Sequence, residues 1–130
     1  MPSRVVIATN KAPRPIGQFS QGIRVGNLVF LSGQVALDSQ TGRLVGNTIE
    51  AQTHQALENA RSVLEAAGSD LEHVVKVTVY LTSMCDMPRM NAVYGEYFVR
   101  DPPARSTVQV AALPLGALVE IECWAVDDQS

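Results

Sequence analysis

The order of two residue periods along the chain constrains its fold more than any other feature of the sequence. Residues 47–68 and 86–98 carry apolar residues at the helical period, and the segments around them alternate apolar and polar residues as strands do. The resulting order is β-β-β-α-β-α-β-β. Each helix should connect parallel strands, whereas the short connections at the two ends should make antiparallel pairs. The sequence therefore predicts an α+β fold, a mixed sheet with both helices on one face.

Short local signals mark where these elements should begin and end. Gly26 and Asn27 predict a tight hairpin between the second and third strands, since both residues tolerate positive φ. Asn47, followed three residues later by Glu50, predicts the start of the first helix, and Gly68 predicts its end.

Length and composition narrow the class of protein. The 130 residues fit one domain, 1–130, and carry a net charge of −3 with no cluster of Lys and Arg, so nucleic acid is not an expected partner. No segment reaches the roughly 20 apolar residues of a membrane span, and the N-terminal segment lacks the apolar core of a secretory signal. We therefore expect a cytoplasmic protein with both cysteines reduced and no membrane association.

Alternation gives each strand two faces. The face under the helices should be apolar and hold Val75, Val77, Val79, Leu81, Val108, Val110, Val119, Ile121, Cys123 and Ala125. The opposite face should hold Phe30, Ser32, Gln34, Thr78, Tyr80, Arg105, Thr107, Gln109, Glu120, Glu122 and Trp124. If the last two strands pair as a hairpin folded near Pro114, Arg105 and Glu120 lie on this second face together.

This second face is too aromatic for a solvated surface and too polar for a core. Such mixed faces are typical of subunit association, in which neighbouring copies cover the sheet and leave polar crevices between them. A monomer with one hydrated sheet face is the alternative.

Several common catalytic patterns are missing from the sequence. It contains neither a GxGxxG nor a GxxxxGK[ST] phosphate-binding loop. His54 and His73 lack metal-ligand spacing, so no metal site is expected. Ser32 is not in the strand-to-helix turn that exposes a nucleophilic serine.

One arginine and two carboxylates then remain as candidate functional groups. Arg105 could form an ion pair with Glu120 or Glu122 that stabilises an interface, and structural pairs of this kind are common. Alternatively, Arg105 could bind a substrate carboxylate with two parallel hydrogen bonds while a glutamate positions or deprotonates water. The residues alone leave both interpretations open.

Five stretches in this order resemble the RidA/YjgF family of imine deaminases along nearly the whole chain. They are APRPIGQFSQG, LVFLSGQVALDSQTG, LENARSVLEAAGSDLEHVVKVTVYLT, MNAVYGEYF and PPARSTVQVAALPLGALVEIE. The resemblance implies a chorismate-mutase-like α+β fold, assembled as a homotrimer with active sites between subunits. It also implies hydrolysis of small 2-imino acids to 2-oxo acids and ammonia, without a cofactor.

The resemblance also implies roles for particular residues. Arg105 would bind the substrate carboxylate, and Glu120 would activate or hold the attacking water. Ser32, the backbone at Gly33, and Asn91 would shape the cleft.

Two further positions depart from the family's usual residues. Thr107 stands where the family usually has cysteine. Its main-chain carbonyl would accept a hydrogen bond from the imine nitrogen. Phe19 stands where the family usually has tyrosine, so a hydrogen-bond donor worth about 1 kcal/mol is missing. A larger or more apolar substrate would also account for this change.

Three alternative functions follow from these departures and from the composition. The first is a pathway-specific deaminase of a bulkier unsaturated amino acid, such as an aminomuconate-type compound. The second is a non-catalytic module that binds small carboxylates or acts like a chaperone. Ribonuclease activity is the least expected, because the acidic chain offers no basic groove for RNA.

Overall fold

The computed structural model describes residues 3–127, which form one six-stranded sheet and two α-helices. The elements are β1 (Arg4–Ile7), β2 (Gly22–Val25), β3 (Leu28–Leu31), α1 (Ile49–Ala66), β4 (Val74–Leu81), α2 (Met87–Tyr97), β5 (Ala104–Gln109) and β6 (Val119–Val126). Short 3₁₀ turns precede β4, α2 and β6. This arrangement confirms the predicted α+β fold with a mixed sheet. Neither helix in the described range is long and apolar enough to cross a membrane.

The last strand lies in the middle of the sheet, in the order β1-β2-β3-β6-β4-β5. It pairs antiparallel with both β3 and β4, while β5 pairs in parallel with β4 at the sheet edge. The predicted hairpin between the last two strands is therefore wrong. The α2 connection carries β5 to the free side of β4, and β6 instead fills the position between β3 and β4 beneath α1.

Local signals fixed the element ends to within a few residues. Gly26, with φ +60°, turns the chain so that Val25 pairs with Leu28, which confirms the hairpin. The N-cap of α1 is Thr48, one residue beyond the predicted Asn47, and its Oγ1 accepts a hydrogen bond from the Ala51 amide at 3.1 Å. Gly68, with φ +84°, follows the helix end as expected.

One apolar core lies between the sheet and the two helices. The predicted inward face is confirmed at Val77, Val79, Leu81, Val119, Ile121, Cys123 and Ala125, all of which are buried in this cluster. Val75 is 46% exposed because a β-bulge between Val74 and Lys76 shifts the register, so that Val74 points inward instead. Val108 is 41% exposed because it pairs with Tyr80, on the sheet face away from the helices.

A buried asparagine on α1 holds the segment that follows β3 against the core. Asn59 donates hydrogen bonds from Nδ2 to the carbonyls of Val35 and Leu37, at 3.1 and 2.9 Å. It is 2% exposed, so neither carbonyl can exchange this donor for bulk water. Asn59 thereby ties residues 35–37 to the helix.

We expect Asn59→Ala to lower the free energy of unfolding by about 2 kcal/mol or more, since two buried carbonyls lose their donor. Urea unfolding at fixed protein concentration measures the change. Glu65→Ala, at an exposed position of α1, is the control and should change stability by less than about 0.5 kcal/mol. Equal stability of the two variants would contradict a structural role for Asn59.

Candidate functional site

A surface cleft of about 320 Å³ lies where the segment after β3 meets the start of β6. Four of the predicted site residues, Phe19, Ser32, Gly33 and Glu120, line this cleft together. This segment and β6 meet here because Gln34 and Ile121 exchange backbone hydrogen bonds of 2.8 and 2.9 Å. The cleft is therefore built into the strand pairing.

The carboxyl group of Glu120 lies directly over Gly33. A Cβ atom at position 33 would stand 2.2 Å from Glu120 Oε2 and 2.7 Å from Cδ. Real atoms do not approach so closely, so only glycine at this position leaves the carboxyl group where it is. Gly33 thus leaves room for the Glu120 carboxyl group in the cleft.

The surroundings of Glu120 disfavour its ionised form. Burial raises the pKa of the Glu120 carboxyl above its ordinary value, and the nearby Glu122 carboxylate raises it further. The Tyr80 hydroxyl donates a hydrogen bond to the Glu122 carboxylate. This hydrogen bond and, to a lesser extent, burial raise the pKa of Tyr80 to about 12. The surroundings of Glu120 thus increase the affinity of its carboxylate for a proton, as general-base chemistry requires.

A glutamine that the sequence analysis did not single out holds the opposite wall of the cleft. Gln21 is 4% exposed, and its Nε2 donates to the carbonyls of Thr9, Ala12 and Pro13 at 3.1, 3.2 and 2.8 Å. Its Oε1 accepts from the Thr9 amide at 2.7 Å. The only available signal was an amide side chain at the start of a predicted strand, which does not reveal its partners.

The side chain of Ser32 completes the floor of the cleft. Its Oγ donates to the carbonyl of Ser20 at 2.6 Å, and its amide donates to Gln21 at 3.0 Å. Phe19, half exposed, and Ile16 add apolar surface to the wall. The cleft therefore combines one acidic group with a largely apolar lining.

Arg105 does not lie in this cleft within one protomer. It pairs with the core residue Val77, so its side chain points to the helix side of the sheet, where the guanidinium lies 4.7 Å from the ring centroid of Tyr94. The prediction that Arg105, Thr107 and Gln109 share a face with the glutamates is therefore wrong. The register of β5 against β4 places these three residues on the face opposite to the predicted one.

Thr107 and Asn91 lie on the same side as Arg105. Thr107 pairs with Val79, and the Val110 amide bonds to Leu81 at 2.8 Å, so by alternation the carbonyl of Thr107 points away from β4 toward the sheet edge. Asn91, on α2, has a buried Oδ1 without a hydrogen-bond partner in residues 3–127. The predicted site thus divides into two groups on opposite sides of the sheet.

The ion-pair interpretation of Arg105 finds no support inside the protomer. Glu120 and Glu122 pair with Tyr80 and Thr78 on the open face, away from the arginine. No ion pair to Arg105 is present in the part of the chain that the structure describes.

The sheet and its helices define a small α+β domain with a cleft beside the central strand. Residues 9–127 match the family described as Endoribonuclease L-PSP, so the chain belongs to this family, which is also known as RidA/YjgF. This match confirms the resemblance seen in the sequence.

Curated relatives and solved structures agree with this assignment. A RutC family protein of Pyrococcus horikoshii is 51% identical over 92% of this chain and 95% of its own. The 2-iminobutanoate/2-iminopropanoate deaminase of Mus musculus is 47% identical over 95% and 91%. The structure of E. coli TdcF with bound serine superimposes with a TM-score of 0.91 at 37% identity, covering 95% of this chain and 99% of that one.

We expect Glu122→Gln to lower the pKa of Glu120, because the neutral amide at position 122 no longer repels the negative charge of ionised Glu120. The pKa should remain above its ordinary value, since burial is the larger cause. NMR titration of the side-chain carboxyl carbons measures this directly.

Glu96→Gln removes an exposed carboxylate from α2 and is the matched control for net charge. An unchanged Glu120 pKa in Glu122→Gln would show that the two carboxylates do not interact.

Proposed function

We propose that this protein is a deaminase that hydrolyses small 2-imino acids, of the 2-aminoacrylate or 2-iminopropanoate type, to 2-oxo acids and ammonia. The observation that carries the proposal is the position of the Glu120 carboxyl group, which lies over Gly33 in the cleft and has a raised pKa. The deaminase name of the 47% identical mouse relative supports the same reaction. The unpaired thiols of Cys85 and Cys123 support a reducing, cytoplasmic location.

We further propose that the working site forms between subunits of a homotrimer. A substrate at Glu120 needs a partner for its carboxylate, and Arg105 of the same chain points to the other side of the sheet. Arg105, Thr107 and Asn91 of one copy would then face Phe19, Ser32, Gly33 and Glu120 of the next. The open face also exposes Val108 and Trp124, apolar side chains that association would cover.

The chemistry would proceed through a carbinolamine. Arg105 binds the carboxylate and orients C2 toward a water held by Glu120. The substrate reacts as the protonated imine, whose N–H is held by the Thr107 carbonyl. The water oxygen bonds to C2 as Glu120 takes one of the water protons, and the electron pair of the C=N π bond moves to the nitrogen, which becomes a neutral amine. Glu120 returns the proton to that amine, the C2–N bond breaks, and the hydroxyl loses its proton to leave a 2-oxo acid and ammonia.

Phe19 bears on which imine is preferred. It is 50% exposed, stands at the cleft wall, and offers no hydroxyl to orient water. This favours, as a second candidate, a bulkier unsaturated amino acid such as an aminomuconate-type compound. Comparing turnover of such a compound with that of 2-iminopropanoate decides between the two substrates.

Two other functions are distinguished by direct assays. Carboxylate binding without ammonia release would indicate a non-catalytic binding module. Cleavage of RNA, which the family's description names, has weaker support, because the net charge of −3 opposes binding to a phosphate backbone.

Arg105→Ala should reduce kcat/KM for 2-iminopropanoate by about 10²-fold or more, since a bidentate charge-assisted contact is lost. Release of ammonia and 2-oxo acid from freshly generated imine measures the loss, and light scattering should show an unchanged oligomer. Arg100→Ala, at an exposed arginine in the α2–β5 connection, is the charge-matched control. Wild-type protein that fails to exceed the spontaneous rate would overturn the deaminase proposal for this substrate.

Mixing two inactive variants tests whether the site is shared. Arg105→Ala and Glu120→Gln subunits, denatured and refolded together, should recover about a quarter of the wild-type activity, because random rings contain intact Arg105–Glu120 pairs across boundaries. Each variant refolded alone is the control. Absence of recovery in mixed oligomers would place both residues in one subunit's site.

A further inference from the structure

The cleft at Glu120 continues into a second, wider depression on the same surface. This outer cleft has a volume of about 870 Å³ and shares Pro13, Arg14, Ile16 and Leu37 with the inner one. Arg14 therefore stands at the boundary between the two, with Lys11 further out. Neither cation has a role in the reaction proposed for the inner cleft.

The backbone around Arg14 is held in place. Proline rings at positions 13 and 15 fix the φ angles on both sides, and Gln21 Nε2 binds the carbonyls of Ala12 and Pro13. The exposed Arg14 side chain thus projects from an ordered wall that already belongs to the inner cleft. A charge presented in this way loses less entropy on binding than one on a free loop.

The charges around Arg14 leave it available to an anion. Neither Arg14 nor Lys11 forms an ion pair with another residue in the described range 3–127. Asp38 is the one carboxylate among the described residues that line the outer cleft, and it accepts hydrogen bonds from the amides of Gln40 and Thr41 at 2.8 and 2.9 Å. With Lys11 and Arg14 positive and Asp38 negative, the described lining of the outer cleft carries one net positive charge.

We propose that Arg14 binds the second carboxylate of a dicarboxylic 2-imino acid. Resting on the function proposed above, the 1-carboxylate would bind Arg105 of a neighbouring copy, and C2 would lie beside Glu120. The rest of the chain then extends along the apolar wall to Arg14, whose planar guanidinium matches a carboxylate with two hydrogen bonds. The inference extends the substrate class of the site to four- and five-carbon dicarboxylic imines, in addition to the short monocarboxylic ones.

The test compares iminosuccinate and 2-iminoglutarate with 2-iminopropanoate, each generated in place by an amino acid oxidase from aspartate, glutamate or alanine. The ratio of kcat/KM values, dicarboxylic over monocarboxylic, is measured for wild type, Arg14→Ala and Arg43→Ala. Arg43 is exposed on the 38–44 turn and lines neither cleft, so its variant controls for long-range attraction of anions.

We expect this ratio to fall about tenfold in Arg14→Ala, as for loss of one charge-assisted contact at an open site, and to stay near wild type in Arg43→Ala. An unchanged ratio in Arg14→Ala would overturn the proposal. Equal loss on all substrates would also overturn it, because Arg14 would then bind the 1-carboxylate. If the ratio fell equally in Arg14→Ala and Arg43→Ala, general attraction of anions would explain the preference, and the proposal would be overturned as well.

A binding measurement separates this inference from the deaminase proposal. NMR titration with succinate, glutarate and propanoate reports affinity without turnover. If no imine is hydrolysed, the deaminase proposal fails. Dicarboxylate binding that is weaker in Arg14→Ala than in wild type, and unchanged in Arg43→Ala, would still support the second anion site. Equal dicarboxylate affinity in wild type and Arg14→Ala would exclude that site even in an active enzyme.

Discussion

The central position of β6 determines most of what this protein presents to solvent. The strand is antiparallel to both β3 and β4, so its backbone groups are paired on each side. Its odd-numbered residues, such as Ile121, enter the core, and its even-numbered residues therefore must lie on the open face. Pairing of Gln34 with Ile121 then brings the turn after β3 beside Glu120. The cleft is a consequence of this one pairing.

The features that could be predicted from the sequence are those with a local cause. Gly26 forms its hairpin because a tight turn needs positive φ, and α1 buries the face that its period marks. Phe19, Ser32, Gly33 and Glu120 were placed together through the family resemblance, and the structure brings them to one cleft. Their roles in catalysis remain proposals.

The features that could not be predicted depend on which strands become neighbours. Alternation places Arg105 and Thr107 on one face of β5, but it cannot say which face, and the parallel register with β4 decided this. The bulge that turns Val75 outward has no sequence signal beyond two adjacent valines. Gln21 was missed because its three carbonyl partners lie 8 to 12 residues away in an irregular loop.

The contact between Gly33 and Glu120 also limits how this chain can diverge. The carboxyl group fills the volume that a side chain at position 33 would need. A larger residue at 33 requires a shorter residue at 120 or a displaced carboxyl group, so a change at position 33 alters the geometry at position 120. Among relatives with this fold, the pair of residues at these positions would then distinguish chains that keep an acidic cleft from those that have adapted it to another ligand.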